Sequence, residues 1–119
     1  MFRDVLRDVV EGTEGGVAGL LMGFDGIPVD HYIRDGASID IESVGMEFSV
    51  VLKDIKRAAE MLEAGATTEV AVRAERMTTI VYLLNDEYFV ALTLRPDGNF
   101  GKGRFLLRRS KSRILNHLQ

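Results

Sequence analysis

Two strand-like runs meet at an Asp-Gly pair: Val17 to Phe24, then Asp25-Gly26, then Ile27 to Arg34. Asp-Gly between such runs is among the strongest short-range hairpin signals. It predicts a two-residue turn in which both residues accept positive φ, glycine without steric cost. Phe24 and Ile27 then flank the tip, where a side chain has little core to reach. Two apolar residues beside Asp25 suit a surface kept sticky for a partner. The same two would also serve to fold back onto a neighbouring helix, and the hairpin alone leaves both readings open.

The rest of the chain must cover that hairpin. Phe2, Val5, Leu6 and Val9 recur at helical spacing, with Arg3, Asp4, Arg7, Asp8 and Glu11 elsewhere, so a short amphipathic helix is expected, ended by the Gly12 to Gly16 region. The first hairpin strand is rich in small residues, Gly16, Ala18, Gly19 and Gly23. Glycine weakens a strand unless another backbone comes close, so a helix is expected to lie tightly across it.

After a loop over Asp35 to Ser38, the residues Ile41, Val44, Phe48, Val51, Leu52, Ile55, Ala59 and Leu62 keep a period near that of an α-helix. Ser38 or Asp40 can cap its start, and Gly65 is placed to end it. Met46, Val50, Ala58 and Met61 lie beside the main stripe. Such a wide stripe exceeds what one sheet face covers, and a second buried surface would be a dimer interface.

Three further strands follow: Glu69 to Glu75, Thr79 to Leu84, and Tyr88 to Leu94, the last two joined by Asn85-Asp86-Glu87. Pro96 to Asn99 then leads into a basic closing helix. The order is αββαβββα, an α/β (α+β) sandwich in which helices flank a five-stranded antiparallel sheet. Short connections favour a meander. The 119 residues make one domain, 1–119, without staples. An apolar fraction of 46% with 28% charged residues leaves no room for general disorder.

Most chemistry is poorly supported. Without cysteine there is neither a disulfide nor a thiolate metal site, and a reducing cytosol fits. His31 and His117 belong to no metal-spaced pair. Asp25 and Asp30 read as turn and surface residues rather than as an acid/base pair. Ser110 and Ser112 lack a nucleophile elbow. Gly98-Asn99-Phe100-Gly101-Lys102-Gly103 imitates a phosphate loop, but its glycine spacing is too short and Gly103 stands where the magnesium-binding hydroxyl belongs. Only an anion at the N-terminus of the last helix stays open. Charged residues interrupt the apolar ones at the start, so neither a signal peptide nor a membrane span is expected.

The net charge of −3 is unevenly distributed. Lys102, Arg104, Arg108, Arg109, Lys111 and Arg113 have no acidic neighbours in the sequence after residue 100, so the preceding part carries −9 (the total of −3 less these six positive charges). The basic helix could bind nucleic acid or an anionic membrane surface. Its interleaved Phe105, Leu106, Leu107, Ile114, Leu115 and Leu118 favour a helix packed against the chain's own acidic body.

The element order, the run Gly16-Val17-Ala18-Gly19-Leu20-Leu21-Met22 continuing into Gly23-Phe24-Asp25-Gly26-Ile27-Pro28-Val29, and the long apolar second helix together resemble the roadblock family, the dynein light-chain type of domain with a profilin/longin-like fold. The resemblance spans essentially the whole chain. Within the family, Met22 to Ile27 and Asp97 to Arg104 look most like the bacterial MglC-type polarity regulators.

The resemblance implies a non-enzymatic homodimer without cofactor or metal. Paired second helices and edge-to-edge third strands would use Val44, Phe48, Val51, Leu52, Ile55, Val70 and Val72. It further implies that Phe24, Asp25 and Ile27 contact an MglB-type roadblock protein, and that a RomR-type response regulator and an MglA-type small Ras-like GTPase belong to the same system. The location implied is cytoplasmic, at a cell pole through partners. The alternative within the family is a GTPase-activating protein acting directly. Arg34, Arg73, Arg76 and the C-terminal arginines are then the arginine-finger candidates, though the chain lacks the C-terminal extension such activators often carry.

Overall fold

A computed structural model describes residues 1–118. The elements are α1 (Phe2–Gly12), β1 (Gly16–Gly23), β2 (Pro28–Ile33), α2 (Ile41–Met61), β3 (Glu69–Arg73), β4 (Thr78–Leu83), β5 (Tyr88–Leu94) and α3 (Phe100–His117). This is the expected αββαβββα order. All strand pairs are antiparallel, in the order β2-β1-β5-β4-β3. The sheet is therefore not one meander. The hairpin β1-β2 and the meander β3-β4-β5 are joined by the long-range pairing of β1 with β5, after α2 has crossed one face.

Strand alternation sends side chains to two separate cores. On one face, Leu21, Ile80, Val90 and Leu92 pack against Val5, Leu6, Val9 and Val10 of α1 and Leu106, Leu107 and Ile114 of α3. On the other, Ala18, Leu20, Met22, Val81, Phe89 and Ala91 meet Ile41 and Leu52 of α2.

The small residues act as expected, on both faces. A Cβ at Gly19 would lie 3.2 Å from Val10 Cγ2, so α1 rests on the bare strand. Across the sheet the gap is in the helix: a Cβ at Gly45 would collide with Leu20 and come within 2.9 Å of Met22.

Local capping decides where the helices begin and end. Asp40 caps α2, its Oδ1 accepting from Ser43 N at 3.1 Å and its Oδ2 from Ser43 Oγ at 2.7 Å. These bonds, the side-chain one first, hold the Asp40 carboxyl below the ordinary carboxylate range. At the other end, Glu63 takes φ 56° and Ala64 N donates to Ala59 O at 2.9 Å, a Schellman-type closure. The expected stop at Gly65 thus falls two residues late. Glu63 occupies the left-handed position that glycine would fill without strain.

Arg34 ties the hairpin to α1. Its Nε donates to Gly16 O at 2.6 Å, and its Nη2 donates to Val10 O at 2.8 Å and Thr13 O at 3.3 Å, while Nη1 pairs with Glu11 at 3.2 Å. The guanidinium is occupied by the end of α1, so Arg34 is a structural clamp, not a free finger. Tyr32 donates its hydroxyl to Glu11 at 2.6 Å, which raises the phenol's pKa because ionisation would set two anions face to face.

Candidate protein-interaction site

The hairpin tip is a three-residue loop, not the two-residue turn expected. Gly26 N donates to Gly23 O at 2.9 Å and Gly23 N to Ile27 O at 3.0 Å. Gly26 has φ 85°, whereas neither Phe24 nor Asp25 has positive φ. This is the pattern of a turn through Phe24 and Asp25 closed by a glycine bulge. Asp25 Oδ1 accepts from Ile27 N at 3.0 Å and holds the bulge in shape.

That geometry divides the two apolar residues. Phe24 turns inward: it is 7% exposed, its ring lies 5.3 Å from that of Phe89, and Lys56 Nζ of α2 sits 4.2 Å above it. Ile27 turns outward and is 64% exposed. Phe24 therefore folds back beneath the tip and supports the loop that carries Ile27. Phe24 N also donates to Glu87 O at 2.9 Å, which anchors the tip to the β4–β5 turn. Asp25, Asp86 and Glu87 line one shallow depression there together with Phe24 and Tyr88.

The wide stripe of α2 resolves into a core and two flanks. Leu52 is fully buried beneath the helix, so it contributes to the chain's own core and presents nothing to a partner. Beside it, Val44, Phe48 and Ile55 are half-buried and Val51 is exposed. On β3, Val70 is half-buried and Val72 exposed, both on the α2 side of the sheet; β3 is an edge strand with pairing on one side only.

The second flank faces the hairpin. Glu42 meets His31 of β2 at 3.4 Å, and Met46 and Val50 follow it one and two turns along the helix, both exposed. Val29 of β2, two residues before His31, is exposed as well. Val29 escaped the sequence reading, although its alternation with Ile27 and the inward Ile33 was the available signal.

Arg73 stacks on Phe100 at 4.2 Å, and Arg76 lies exposed in the β3–β4 turn. Asn99 Oδ1 accepts from Lys102 N at 3.0 Å, so the start of α3 is capped by the chain itself. Among the described residues no cluster of three or more His, Cys, Asp or Glu is placed to hold a metal, and no helix is long and apolar enough to cross a membrane.

Comparison with solved structures decides the family. MglC from Myxococcus xanthus is 40% identical over 95% of both chains, with a TM-score of 0.69. The chain belongs to the roadblock family and is MglC-like. A Roadblock/LC7 domain from Streptomyces avermitilis shares this fold at TM-score 0.87, with 11% identity over 98% of this chain and 96% of that one. The gliding protein MglB from Thermus thermophilus does so at TM-score 0.86, with 17% identity over 95% of this chain and 84% of that one. No protein-family model and no curated protein matches the chain. Against this roadblock frame, α2 with β3, and the β1–β2 tip, are surfaces left apolar and open.

Proposed function

We propose that this roadblock protein is a non-enzymatic homodimeric adaptor in an MglA/MglB-type small-GTPase system, active in cell polarity and motility. The observation that carries the reading is the uncovered apolar flank of α2, with Val51 exposed, lying on the same side of the sheet as the free edge of β3. A two-fold partner seated there would cover the valines and pair the strand edges. Val44, Phe48, Val51, Ile55, Val70 and Val72 form that interface in this reading, with Leu52 beneath it.

The second surface engages an MglB-type roadblock protein. Ile27 supplies the buried anchor, Asp25 shapes the loop and adds an oriented charge, and Phe24 stiffens it from below. Val29, Met46 and Val50 extend the apolar area. A RomR-type response regulator and an MglA-type GTPase are reached through this complex, which sets the protein in the cytoplasm at a pole.

Titration calorimetry against the MglB-type roadblock protein of the same genome tests the reading, with Ile27→Ala beside the native chain. Saturable binding that weakens at least about tenfold in the variant, at unchanged melting temperature, is expected. Absence of binding by the native chain removes the adaptor role. Direct stimulation of GTP hydrolysis in an MglA-type protein by this chain alone would establish the activator reading instead.

A further inference from the structure

The face of α3 turned toward β3 and β4 carries a feature that the adaptor reading leaves unused. Thr68, Tyr82, Phe105, Arg108, Arg109, Lys111, Ser112 and Leu115 enclose a groove of about 630 Å³. Its apolar part centres on Phe105, which is 52% exposed, while Leu106 and Leu107 turn into the core. Tyr82 and Leu115 are half-buried beside it, and the Arg109 guanidinium lies 5.4 Å from the centre of the Phe105 ring.

The charges are arranged selectively. Arg104 and Arg113, near the two ends of α3, are matched by Glu69 at 2.7 Å and Asp8 at 3.3 Å. Among the described residues, no carboxylate lies within ion-pair distance of Arg108, Arg109 or Lys111, and the groove lining contains no acidic residue, while Lys111 also borders an adjoining depression that holds Glu60 and Asp86. Three cations thus surround an apolar groove on a chain whose residues before 100 total −9.

We propose that this groove receives an acidic amphipathic helix from a partner protein. Phe105 to Leu115 spans roughly 15 Å along α3, the length of about three helical turns. A helix of that length can lay one apolar face against Phe105, Tyr82 and Leu115 while carboxylates at its margins meet Arg108, Arg109 and Lys111. A polyanion fits less well: its phosphates would engage the three cations and leave the apolar surface of Phe105, Tyr82 and Leu115 without a partner.

Fluorescence anisotropy tests this with a labelled peptide of about 16 residues, leucines at helical i, i+3, i+4, i+7 spacing and glutamates elsewhere, and a shuffled peptide of the same composition. Saturable binding of the patterned peptide alone is expected, weakened at least about tenfold by Phe105→Ser and by R108E/R109E, and unchanged by Ile27→Ala. Circular dichroism melting checks that these surface variants stay folded.

No saturable binding, equal binding of the shuffled peptide, or indifference to Phe105→Ser overturns the proposal. So does competition by a single-stranded oligonucleotide or by phosphatidylserine vesicles that depends on the arginines and not on Phe105. The unchanged Ile27→Ala result keeps this surface distinct from the hairpin: either can fail while the other stands.

Discussion

The two faces of the sheet are built from the same alternating strands and end up in opposite conditions. The face under α1 and α3 is covered by two helices, which also contact each other and are linked by the Arg113–Asp8 pair, and it stays open only along the groove between α3 and the β3–β4 side. The other face has α2 alone, seated over β1 and β2. Five strands spaced at about 4.8 Å span roughly 19 Å, while one helix covers about 10 Å. One helix therefore leaves about half the face without a lid. Val51 and Val72 are exposed there for this reason, and the deficit is what makes this side available to a second molecule.

The sharpest way to break the contrast is within α2. Leu52→Ala removes a fully buried side chain and should cost about 3 kcal/mol in denaturant unfolding. The neighbouring Val51→Ala should leave unfolding of the isolated chain within about 0.5 kcal/mol, since its side chain is half in solvent. If the open face is the dimer interface, Val51→Glu turns a dimer into a monomer in sedimentation while the fold persists. A dimer surviving that change would move the interface elsewhere.

The hairpin tip offers the same contrast in miniature. Phe24→Ala should destabilise by about 3 kcal/mol, because it empties the space beside Phe89. Ile27→Ala should change stability little and partner binding strongly. A joint substitution would confound the two, so the single variants are the informative ones.

Contact between α2 and the sheet is tested at Gly45. Gly45→Ala should lose about 1–2 kcal/mol despite alanine's better helix propensity, since the added methyl meets Leu20 and Met22. A stability gain would mean that α2 sits further from β1 than described.

The smallest effects lie at the ends of α2. Glu63→Gly relieves a left-handed non-glycine residue and should stabilise by about 1 kcal/mol. Asp40→Asn should lower the melting temperature above about pH 5, where the native carboxylate is charged and its depressed pKa favours folding. The difference from native should shrink as pH falls through the folded-state pKa of Asp40. A gap constant down to pH 2 would show that charge has no part in the cap.

Much of this was legible in the chain itself. Periodicity is a local property, so α1, α2, α3 and the five strands could be read from residue order, as could the acid–base asymmetry that α3 partly satisfies through Arg104–Glu69 and Arg113–Asp8. The close helix contact at Gly19 also followed from composition, because a bare strand has value only beneath another backbone.

Other features depended on which neighbour arrived. Phe24 and Ile27 look equivalent beside Asp-Gly; Phe89 and Lys56, distant in sequence, bury one and leave the other outside. Leu52 and Val51 belong to one apolar stripe until the placement of α2 over β1 and β2 divides them. Arg34 reads as a free cation until Val10 and Thr13 at the end of α1 and Gly16 at the start of β1 supply three carbonyls. Sequence alone determined the elements, their order and the surplus of apolar surface, since these follow from spacing along the chain. Only tertiary structure decided which apolar and charged groups were spent inside and which remained for a partner, since burial is set by contacts between residues far apart in sequence.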